Sequence, residues 1–110
     1  MDPNAARVLL SRVVESLLHI RRRPQMYFSP VTPETVKYWL HGLQVGIHIA
    51  GVKCSHAAYR VACARRGIEL PATTNLIAEL GRQGKSSEEV AMALIEIEEE
   101  MWRERLAELA

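Results

Sequence analysis

The chain has 110 residues, 48% of them hydrophobic and 25% charged, with 14 Lys/Arg against 13 Asp/Glu for a net charge of +1. These values fit one globular domain, residues 1–110, around a single core, and they exclude a fibrous, low-complexity or strongly polybasic chain. No apolar run reaches the roughly 18 residues of a membrane span, and Met1-Asp2-Pro3-Asn4 carries neither a basic nor an apolar leader segment, so the sequence predicts a cytoplasmic protein.

A first helix is predicted from about Asn4 to Arg22. Asp2 is its N-cap, and Pro3 takes the first position, where a missing N–H costs nothing. Ala6, Leu9, Leu10, Val13, Leu17 and Ile20 recur at three- and four-residue steps and mark the buried face. Arg21, Arg22 and Arg23 complement the negative end of the helix dipole, and Pro24 stops the helix.

The most distinctive stretch follows. Residues 24–32 are predicted to form a non-helical strap lying across the bundle. The chain has only six aromatic residues, so Met26, Tyr27 and Phe28 are read as buried, with Phe28 between the first two helices.

A second helix is predicted from about Pro33 to Ala50, capped by Thr32, with Val36, Trp39, Leu40, Leu43, Ile47 and Ala50 inward. Gly42 and Gly46 lie one turn apart on it. Each costs roughly 1 kcal/mol relative to Ala inside a helix, so the pair predicts close helix packing, another backbone pressed against them.

Ser55 to Arg66 reads as a third helix, capped by Ser55 and ended by Gly67. Residues 68–71 read as extended linker, and a short helix is expected from about Thr74 to Gln83. The last helix opens on a capping box, Ser86 with Glu89 three residues on. Val90, Leu94, Ile95, Ile97, Met101, Trp102, Leu106 and Leu109 give it a wide apolar surface, leaving Glu96, Glu98, Glu99 and Glu100 for a solvated face. With no strand pattern and short loops, the fold class is all-α, a bundle of four to five helices.

Two cysteines, Cys54 and Cys63, are expected as free thiols in a reducing compartment. Cys54, His56 and Cys63 are the candidate centre for a metal or a small enzyme site, but a structural zinc site shows its paired ligands twice over, and here there is one pair. No phosphate loop, dinucleotide fingerprint or HExxH occurs. The sequence therefore predicts no enzyme activity, no cofactor and no metal, and nothing in it marks a small-molecule substrate.

Charge is unevenly placed. Residues 1–66 hold ten Lys/Arg and three Asp/Glu, a net +7; residues 67–110 hold four and ten, a net −6. Either the acidic last helix packs on the basic half and the fields cancel, or the basic half meets an acidic partner. The partner- or phosphate-binding candidates are Arg21, Arg22, Arg23, Tyr27 and Phe28, because the arginine fork suits phosphate and exposed aromatics suit single-stranded bases.

Arg23-Pro24 with Met26-Tyr27 resembles a segment of gyrase-type ATPase domains, but the helix after it holds no Asp or Asn and its only Glu lies in the first turn, before Val36, so no ATPase activity is implied. The strap from Ile20 to Tyr27, together with Gly84, Ser86 to Glu89, Ile97-Glu98 and Trp102-Arg103, is similar to small bacterial all-helical proteins. That group brings no activity to carry over and implies an independently folding domain. The resulting expectation is a non-enzymatic protein–protein interaction or accessory module, of immunity type or a homodimer. Nucleic-acid binding through the basic half is the alternative, and a small enzyme or metal protein at Cys54, His56 and Cys63 the second.

Overall fold

The computed structural model describes residues 1–69 and 75–109. It is all-α: α1 spans Pro3–Arg22, α2 Pro33–Ile49, α3 His56–Ala64, α4 Leu76–Arg82 and α5 Ser87–Glu108, with a single 3₁₀ turn, Pro24–Met26, in the strap. No strand occurs among the described residues. None of their helices is long and apolar enough to cross a membrane.

The helix starts follow the capping signals. The side chains of Asp2, Thr32, Ser55, Asn75 and Ser86 each accept a backbone N–H three residues on, which satisfies a donor that the first turn leaves orphaned. At Ser86 the box is complete, because the Glu89 carboxylate accepts the Ser86 N–H in return. The C-terminal end of α2 turns at Gly51, whose φ of +103° a side chain would strain. The linker expected at Leu70-Pro71, and the start of the fourth helix at Thr74, lie outside the described residues. Ile68 and Glu69 lie outside the helices, as expected of that linker, and the Ile68 side chain is a core residue, 3% exposed.

α5 is the hub of the bundle. Each of α1, α2, α3 and α4 packs on it, and among the described residues no other pair of helices makes a comparable contact. A helix surrounded in this way is buried on nearly every side. From Val90 to Trp102 only Met92, Glu96 and Glu100 escape full burial. The helix therefore has no solvated glutamate face: Glu98 and Glu99 are 3% and 1% exposed, and Glu96 and Glu100 are half-buried. The least buried row of the helix is Met92, Glu96, Glu100 and Arg103, where Arg66 pairs with both glutamates.

The strap departs from expectation in part. Phe28 is buried and meets the ring of Trp39 on α2 edge-to-face, centroids 5.8 Å apart. Met26 and Tyr27, expected inside, are exposed. The 3₁₀ turn tucks Pro24 into the core and leaves Gln25, Met26 and Tyr27 facing solvent.

Gly42 and Gly46 also differ from expectation. Both are exposed, and a Cβ added at either would meet no atom within 4 Å. α2 turns Val36, Leu40 and Ile47 to the core, and the glycines fall on its opposite side. No backbone of the described chain approaches them.

Candidate binding site

Between α2, α3, α4 and α5 lies a half-open cavity of about 580 Å³, inside the range of small-molecule sites. α2 supplies Tyr38, Leu40, His41 and Gln44; α5 supplies Leu94, Ile97, Glu98 and Met101; Tyr59 enters from α3. The α5 residues follow helical spacing, since 94, 97, 98 and 101 share one face. Lys37, Cys54 and His56, with Asn75, Leu76 and Ile77 at the start of α4, complete the wall.

Glu98 is the one acidic side chain in this lining among the described residues. Its Oε1 accepts from Gln44 Nε2 at 2.7 Å, and its Oε2 accepts from Trp102 Nε1 at 2.7 Å. Burial pushes the carboxyl up to about 6, against the pull of those two donors. Tyr59 is pushed up to about 12, first by burial, then by the charges of Cys63 and Glu98, so it stays a phenol. Burial likewise raises the Cys63 thiol, which makes it a poor nucleophile.

The other three glutamates of this stretch are held by arginines. Arg21 Nη1 donates to Glu99 Oε2 at 3.1 Å, and Arg103 lies 3.6 Å from Glu99 Oε1. Arg66 forks onto Glu100 at 2.7 and 3.2 Å and reaches Glu96 at 3.3 Å. Arg65 adds a more exposed pair with Glu104 at 3.0 Å. The acidic last helix thus neutralises much of the basic half from within.

These contacts scatter the sequence-predicted residues. Arg21 is engaged by Glu99, while Arg22, Arg23 and Tyr27 are exposed beside it. Phe28 is in the core and offers a partner no surface. Cys54 and His56 both line the cavity wall, but Cys63 lies two turns along α3, buried. Among the described residues no cluster of three or more His, Cys, Asp or Glu is placed to hold a metal ion.

Glu98, Gln44 and Trp102 were not singled out by sequence reasoning. One signal was available: Glu98 is four residues from Leu94 and from Trp102, so it occupies a position where the apolar stripe of α5 calls for a hydrophobic residue.

Comparison of the chain with known protein families, curated proteins and solved structures finds no match.

Proposed function

We propose that this chain is a non-enzymatic protein–protein interaction module whose contact surface is the outer face of α2 and whose first partner is a second copy of itself. The observation that carries the reading is an uncovered apolar stripe. Tyr38, Val45 and Ile49 lie on one side of the helix with Gly42 and Gly46 between them, and Tyr38 and Ile49 are 73% and 78% exposed. Trp39 flanks them, also exposed. Large apolar side chains concentrated on one solvent-facing helix mark an interaction surface.

The glycines give that surface its shape. Two helices crossing at small residues bring their backbones close, which would offset the propensity cost of Gly42 and Gly46. A two-fold pairing uses the same patch twice and closes on itself. The two free thiols suit a reducing compartment such as the cytoplasm.

Light scattering across a concentration series, coupled to gel filtration, tests this. The parent chain is expected to shift from monomer to dimer, and Ile49→Glu or Val45→Glu to stay monomeric with unchanged helix content. A parent that remains monomeric at every concentration would sink the reading.

A further inference from the structure

The cavity wall carries an ion whose place a structural role does not explain. Glu96, Glu99 and Glu100 each pair with an arginine. Glu98, 3% exposed on the same helix, has only the neutral donors Gln44 and Trp102, and no cationic partner among the described residues. A buried carboxylate without a counter-charge is costly, and replacement by an apolar residue would usually be stabilising. This one lines the cavity. A carboxylate offers about four lone-pair sites, of which the two hydrogen bonds use two.

We propose that the cavity binds a small organic monocation, an amine with an apolar body, whose ammonium group sits on Glu98. The remaining walls suit the body of such a ligand: Leu40, Leu94, Ile97 and Met101 are aliphatic, and Tyr38 and Tyr59 offer aromatic faces to a cation. Lys37 on the wall repels a second positive charge, which favours monoamines over diamines. The cavity shares Tyr38 with the outer face of α2, but Glu98, Leu94, Ile97 and Met101 belong to α5, so amine binding at Glu98 is tested at residues that self-association does not use.

Protons compete for the same carboxylate. The groups lining the cavity with Glu98 are Lys37 and His41 from α2, Cys54 ahead of α3, and His56 and Tyr59 from α3. With Glu98 titrating at about 6, an amine binds best when the pH lies above that value and progressively worse below it. In Glu98→Gln this pH dependence should disappear.

Calorimetric titration with 2-phenylethylamine, the neutral isostere 2-phenylethanol and 1,5-diaminopentane tests the proposal, with amide chemical shifts locating the site. At about pH 7.5 the monoamine is expected to bind about tenfold or more tighter than the alcohol, the worth of one charge-assisted hydrogen bond. Shifts should centre on Tyr59, Leu94 and Ile97, and the diamine should bind more weakly than the monoamine. Glu98→Gln should erase the preference for amine over alcohol. On the unaltered chain the same preference should collapse by about pH 5, a readout that needs no variant to fold. Equal affinity for amine and alcohol, a preference that persists in Glu98→Gln, or shifts confined to another surface would overturn the proposal. So would binding of a lysine-bearing peptide with no binding of the free amine, which would assign the cavity to a protein ligand.

Discussion

The Trp102 indole donates its Nε1–H to the Glu98 carboxylate at 2.7 Å, one turn along the same helix and in full burial. An i,i+4 pair on α5 thereby fixes the rotamer of an acidic side chain inside the core. Its carboxyl sits at about 6, against 4.5 ordinarily, so the folded chain holds that proton more tightly than the unfolded one. Glu98 therefore favours folding fully below about pH 4.5, and that contribution is lost as the pH rises through about 6. Denaturant titrations of the parent and Glu98→Gln should diverge by about 2 kcal/mol between those limits, with the variant gaining relative to the parent as pH rises. Parallel pH profiles would show that the carboxyl is not perturbed.

Arg21 and Glu99 make a second, testable pair. The Glu99 side chain is 2% exposed while that of Arg21 is 35% exposed. Removing the arginine leaves a buried carboxylate with Arg103 at 3.6 Å as its remaining cation. Arg21→Ala is expected to cost roughly 2 kcal/mol, less than for a fully buried pair because the arginine is partly solvated. The double variant Arg21→Ala with Glu99→Leu should recover most of the loss, since the orphaned charge is gone. Additive costs in a double-mutant cycle would refute the coupling.

The capping box at the start of α5 should contribute locally. Ser86 accepts the Glu89 N–H at 3.2 Å and its own N–H goes to the Glu89 carboxylate at 2.9 Å, which holds that carboxylate below its usual range. Ser86→Ala is expected to lower stability by about 1 kcal/mol, and Ser86→Asp, which can also cap, to keep most of it. Equal loss in both would mean that the cap is not the cause.

The two thiols should differ sharply in reactivity. Cys54 is exposed, whereas Cys63 is buried and raised in pKa by that burial. A thiol reagent at about pH 8 should titrate one cysteine quickly and the second only on unfolding. Peptide mapping should place the fast label on Cys54. Rapid labelling of both would contradict the packing of α3 on α5.

Much of the fold was legible because its signals are local. The caps at Asp2, Thr32, Ser55 and Ser86 and the stops at Pro24 and Gly51 act within one turn of chain, and the helices begin and end close to them. The strap was legible only in outline: Phe28 and Tyr27 are equally apolar by composition, but one is buried and the other exposed, because the turn at Pro24 decides which side each faces.

What the sequence by itself determined is therefore the helical class, the main helix ends and the division of charge. What only tertiary structure decided is which helix lies at the centre. A stripe of four glutamates reads as a wet surface until four neighbours surround it, and α1 to α4 all dock on α5. That placement buries Glu98 and Glu99, hands three of the acids to arginines distant in the chain, and leaves Glu98 alone at a cavity. The reason is physical: periodicity ranks the faces of one helix by hydrophobicity, whereas burial of a charge depends on partners contributed by other helices, which no local pattern encodes.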